Sequence, residues 1–104
     1  MAEYNFYKRE DKLTLDSRQK NLLKAKAHHL KPVVRIGQHG LGAGIIGAAE
    51  ACLERHELIK VHVHEGKREE RQAMIDELVE RTNAQLVHRI GKVFILYRER
   101  QEER

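Results

Sequence analysis

Apolar residues recur at helical spacing in three stretches of the chain and alternate with polar ones in others, and these two periods predict the order α-β-α-β-α-β-β. A first helix begins at Asp16 or Ser17, either of which can cap free backbone N–H groups with its side-chain oxygen. On its wheel Leu15, Gln19, Leu22, Leu23 and Leu30 share one sector, while Lys20, Lys24 and Lys31 point elsewhere. Lys26 falls inside the apolar sector, where its methylene stem can lie along the core and its ammonium reach water. Pro32 ends this helix by forcing Lys31 towards extended geometry. Val33–Ile36 reads as a short strand, halted by the loop Gly37-Gln38-His39-Gly40. A second helix turns Leu41, Ile45, Ala49, Cys52 and Leu53 inwards. Residues 58–64 form a strand that alternates from Ile59 onward, so one face is buried and the other wet. Glu65-Gly66 turns into a third helix with the stripe Met74, Ile75, Leu78 and Val79. Residues 84–90 and 93–97 flank Gly91-Lys92 at a spacing that suits a hairpin.

Strands alternating with helices imply βαβ crossovers, and the last pair adds an antiparallel strand. The expected fold is α/β: two layers, a four-stranded mixed sheet and helices mainly on one face, because the middle strand is only half apolar. The pattern leaves open where the first helix docks. Residues 1–13 lack a period and are expected to form a flexible arm, residues 14–98 the single domain, and residues 99–104 a charged tail. Alternating charges from Arg98 onward should fray into solvent.

Length and composition narrow this picture further. A chain of 104 residues suits one domain, and 40% hydrophobic content with no tryptophan calls for a core of Leu, Ile, Val and Ala. The single cysteine, Cys52, excludes an intramolecular disulfide and fits a reducing compartment. The first ten residues are too polar for a secretory signal, and no apolar run approaches the roughly 20 residues needed to cross a bilayer. A cytoplasmic, membrane-free, monomeric protein is expected.

Charge changes the picture most. The net charge is +4, yet residues 17–49 hold six cations (Arg18, Lys20, Lys24, Lys26, Lys31 and Arg35) and no acid. Residues 50–80 hold five cations against nine acids. Concentrated basic charge favours a polyanion site, the alternative being a solvated helix face without a partner. The glycine loop lies between a strand and a helix, directly after Lys31 and Arg35. Glycines allow close approach of the backbone to phosphate, and the following helix offers unpaired N–H groups and the positive end of its dipole. Gln38 and His39 can donate hydrogen bonds, and His39 can stack on a base. The same logic operates in the GXXG clamp of KH domains. The candidate polyanion-binding residues are therefore Arg18, Lys20, Lys24, Lys31, Arg35, Gly37, Gln38, His39 and Gly40, and charge and glycine spacing alone do not separate RNA from DNA.

Three segments carry a resemblance: Leu30-Lys31-Pro32-Val33-Val34-Arg35-Ile36-Gly37-Gln38-His39-Gly40-Leu41, His56-Glu57-Leu58-Ile59-Lys60-Val61, and Ile90-Gly91-Lys92-Val93-Phe94-Ile95-Leu96-Tyr97-Arg98. In this order they resemble the signature of the CRM domain (chloroplast RNA splicing and ribosome maturation), in particular its stand-alone bacterial YhbY-like members. The resemblance implies a fold similar to the C-terminal domain of the third bacterial initiation factor. It also implies RNA binding and association with the precursor of the large ribosomal subunit in ribosome assembly. One departure is Gly42, where the family often has a helix-capping Thr. With Gly44 and Gly47 it should weaken the first turns of the second helix by about 1 kcal/mol per glycine.

Other chemistry is sparse. His62 and His64 on one strand face, and Cys52 and His56 at helical spacing, lack a third ligand, so no metal or cofactor is expected. Lys60, His62 and His64 either extend an RNA platform or keep the sheet soluble, and His88 and Arg89 have no assigned role. No nucleophile, base and orienting group occur together, which argues against an enzyme. The acids Glu65, Glu69, Glu70, Asp76, Glu77 and Glu80 back the third helix. They support an alternative in which the protein is an adaptor on ribosome-linked complexes.

Overall fold

The computed structural model describes residues 14–100, and the expected arm of residues 1–13 lies outside the described residues. Among the described residues three helices, α1 (Ser17–Ala27), α2 (Ala43–His56) and α3 (Arg68–Thr82), alternate with the strands β1 (Pro32–Ile36), β2 (Leu58–Val63), β3 (Gln85–Ile90) and β4 (Val93–Tyr97). The observed order is the expected one.

Asp16, rather than Ser17, starts α1. Its carboxylate accepts from Gln19 N at 2.8 Å, and Gln19 Oε1 accepts from Asp16 N at 3.0 Å, a reciprocal capping box. The helix stops at Ala27, well before Pro32, and Leu30 N donates back to Ala27 O at 2.9 Å to close the exit turn. Early termination corrects the helical wheel, because Leu30 no longer belongs to it. Leu22 is 61% exposed, so the inner face is the narrow line Leu23–Ala27, joined by Leu15 from before the cap. Lys26 is exposed, and no lysine stem is needed in the core.

The sheet order is β1-β2-β4-β3. β1 and β2 are parallel, with α2 as their crossover, and β4 is antiparallel to both β2 and β3. The hairpin turns at Gly91, whose φ of +61° suits a residue without Cβ. Its last strand is not an edge but an interior one. Val93-Phe94-Ile95-Leu96-Tyr97 is a continuous apolar run, and such a strand is stable only with both faces covered.

That requirement explains where α1 docks. On one face Val34, Ile36, Ile59, Val61, Val63, Phe94 and Leu96 pack against Ala49 and Leu53 of α2 and Ile75 and Leu78 of α3. On the other, Ile95 and Val87 meet Ala27, with Leu15, Leu23, Leu58 and Tyr97 around them. The expected layer of helices on one face is thus supplied by α2 and α3, and α1 covers part of the opposite face. The uncovered remainder lies over β1 and β2.

Although Gly42, Gly44 and Gly47 weaken it, α2 is helical from Ala43, with Gly42 as a cap that makes no side-chain hydrogen bond. The expected fraying is corrected for residues 98–100, while residues 101–104 of the expected tail lie outside the described residues. Arg98 is 17% exposed at its side chain, and its guanidinium holds Glu50 at 2.8 Å and Glu54 at 2.9 Å. It donates as well to Thr82 O, at the C-terminal end of α3, at 2.9 Å. Arg100 N then donates to Glu57 at 2.7 Å, which straps residues 98–100 across the end of α2. No described helix is long and apolar enough to cross a membrane.

Candidate nucleic-acid interface

The half of the sheet that α1 leaves open is built by strand alternation. Val34, Ile36, Ile59, Val61 and Val63 face the core, so Arg35, Lys60 and His62 must face outwards. Parallel register sets Arg35 beside His62, and Arg35 Nη1 lies 3.5 Å from His62 Nδ1. Burial holds the His62 pKa below its usual value, with His64, Arg35 and Lys92 adding repulsion, so the ring is neutral near pH 7. A neutral imidazole can accept from the guanidinium, whereas an imidazolium cannot. The rings of His62 and His64 stand 4.0 Å apart, and no group of three or more His, Cys, Asp or Glu able to hold a metal occurs among the described residues.

Three chain turns meet at the C-terminal end of β1 and β2. His64 N donates to Ile36 O at 2.8 Å, and Val63 N donates to Lys92 O at 2.9 Å. The hairpin's Lys92 Nζ reaches His64 O at 3.3 Å. The Gly37–Gly40 loop therefore stands beside His64 and the Gly91-Lys92 turn. Gly40 N donates to Gly37 O at 3.0 Å, and the turn holds Gly40 at φ +72°. Gly37 differs: a Cβ added there would meet nothing within 4 Å, so folding does not require a glycine at that position. Gln38 and His39 are exposed at the tip.

Between α1 and the sheet runs a cleft of about 510 Å³. Asn21, Lys24, Ala25 and His28 form its helical wall, Lys60 and Ile95 come from the sheet, and no carboxylate lines it. Lys60 Nζ donates to Leu30 O at 3.0 Å and so spans the cleft towards the α1 exit. Burial, Lys24 and Arg89 lower the pKa of His88, which puts Lys24 within electrostatic reach of β3.

The sequence-predicted residues divide accordingly. Lys24 and Arg35 flank this open face, and Gly37, Gln38, His39 and Gly40 lie at its end. Lys31 lines a separate depression with Lys26, beside Glu57. Arg18 is exposed on the stripe of Leu22, and Lys20 is half-buried. Sequence reasoning gave no role to Lys92 and left Lys60 and His62 undecided. Only the insertion of β4 beside β2 brings Lys92 to the loop, and no local signal encodes that pairing.

Fold and surface together define a small α/β module with a carboxylate-free cationic cleft and a glycine loop on the half-open side of its sheet. The chain belongs to the CRS1/YhbY (CRM) domain family, whose model matches residues 15–98. A Haemophilus influenzae relative named RNA-binding protein is 45% identical over 89 residues, covering 86% of this chain and 90% of the relative. A Bacillus subtilis relative, named Probable RNA-binding protein YqeI, is 37% identical over 90 residues, covering 86% and 94%. The solution structure of a hypothetical protein from Staphylococcus aureus superposes with a TM-score of 0.75 at 34% identity, covering 88% of this chain and 95% of that one.

Proposed function

We propose that this protein binds RNA through the half-open side of its sheet and, as a monomer, assists assembly of the precursor large ribosomal subunit. The observation that carries the RNA reading is one open face with Arg35 and Lys92 beside the Gly37–Gly40 loop and Lys24 and Lys60 in the carboxylate-free cleft along α1. The names of the relatives support RNA as the polyanion. The ribosomal part rests on the resemblance to stand-alone bacterial CRM proteins.

Phosphates are neutralised by Lys24, Arg35, Lys60 and Lys92, while Arg18, Lys20 and Lys31 extend the contact along and beyond α1. Gly37 and Gly40 admit the RNA backbone at close range, and Gln38 and His39 donate to phosphate or sugar oxygens. With about three to five phosphates engaged on a single strand, log K falls against log salt with a slope of roughly −2 to −3.5. A salt-insensitive affinity contradicts the mechanism. The acidic α3 adaptor is less well supported, since Glu77 pairs with Arg81 at 3.1 Å and Asp76 accepts from Gln72 at 3.0 Å within the helix. Crosslinking in cells followed by sequencing of the bound RNA tests the whole reading. Recovery of precursor large-subunit RNA is expected; random or absent RNA overturns it.

A further inference from the structure

Phosphate neutralisation accounts for the cations but not for the form of the α1 cleft. It does not explain why a cationic surface opens on a depression that keeps Ile90, at the far end of β3, 55% exposed. Its volume of about 510 Å³ falls within the roughly 300–1,000 Å³ typical of small-ligand sites. A phosphate group needs no such volume and gains nothing from isoleucine.

We infer that this cleft receives one unstacked nucleobase of the bound single strand. The inference rests on the RNA reading above and deepens it from backbone grip to base recognition. His28 and His29 stand edge to face, with ring centroids 5.3 Å apart and planes at 79°, which steadies the His28 ring at the helical wall. An imidazole face is one of the surfaces on which proteins stack splayed RNA bases. Ile90 offers an exposed apolar face to the base plane, the buried Ile95 closes the floor of the cleft beneath, and Ala25 leaves room on the helical side. Asn21 lies on the same side of α1 as Ala25 and His28 and carries both a donor and an acceptor for a base edge. Lys24 and Lys60 lie within the same lining, where they attract the phosphates flanking the base. The absence of lining carboxylates fits this polyanionic occupant better than a basic peptide.

The test uses the whole chain and a single-stranded RNA ligand in which one abasic site is moved along the sequence. The wild-type protein should lose about tenfold in affinity at one abasic position, with the salt slope unchanged. His28→Ala/Ile90→Ala, which empties the cleft, and Ala25→Phe, which fills it, should each weaken the intact RNA by about tenfold and abolish that positional penalty. All three sites are exposed, and melting curves check that the variants fold. If the wild type binds RNA with no positional penalty, or the variants retain it, the base site is wrong while the RNA reading stands. Such a result would leave the cleft to a protein partner. If the wild type binds no RNA, both fall.

Discussion

Replacing Arg98 with Met keeps the stem that lies against the domain and removes the guanidinium. Its link to Thr82 O is a hydrogen bond from a charged donor to a carbonyl at the end of α3, a type that contributes about 1.5–3 kcal/mol. Cationic charge at that end also complements the helix dipole. The contacts to Glu50 and Glu54 contribute less, because those carboxylates are 45% and 66% exposed and each such pair is worth about 0–1 kcal/mol. Arg98→Met should therefore cost about 2–4 kcal/mol. At about 4–8 °C per kcal/mol for a domain of this size, the midpoint should fall by at least about 8 °C. Urea unfolding gives the free energy directly, with an unchanged m-value if only stability changes. Glu54→Gln serves as a control and should cost less than about 1 kcal/mol. A loss below about 1 kcal/mol for Arg98→Met, or one that disappears in 1 M salt, would refute the dominance of the Thr82 contact.

Two further predictions follow from loop and ring geometry. Gly40→Ala should destabilise the fold by about 1–2 kcal/mol because φ is +72°, whereas Gly37→Ala should leave the melting midpoint unchanged and still weaken RNA binding. Equal stability losses for the two, or intact RNA affinity in Gly37→Ala, would count against their assigned roles. His62 and His88 both have folded pKa values below the ordinary 6.5, so the unfolded chain holds more protons as pH drops through that range. Their contribution to stability is fully present above pH 6.5 and is lost as pH falls through the folded values. A melting series from neutral to mildly acidic pH should show a shallower decline in His62→Gln/His88→Gln. Over the same range RNA affinity should rise with protonation of His62, and that rise should vanish in His62→Gln.

Local chemistry made most elements legible. The alternation from Ile59 onward fixed the inner face of β2, Asp16 and Ser17 marked a helix start to within one residue, and Gly91-Lys92 marked the hairpin. Long-range pairing was not legible. Nothing near β4 says that it enters beside β2, although its unbroken apolar run signals two covered faces. That missing contact hid both the docking face of α1 and the approach of Lys92 to the glycine loop. Leu22 misled because a wheel extended to Leu30 assumes a longer helix than the capped one that forms. Arg98 and Arg100 read as a fraying end because their partners lie far back along the chain. The basic run offered Lys24, Lys31 and Arg35 alike as candidates, and charge alone could not show that Lys31 faces a different depression from Lys24.

The most direct measurement is a titration of isotopically labelled protein with single-stranded RNA, followed by nuclear magnetic resonance at each backbone amide. The account expects the largest shift changes at Gly37–Gly40, Arg35, Lys60, His62 and Lys92, with smaller ones along the cleft wall of α1. Changes concentrated on α3, or none at all, would contradict it.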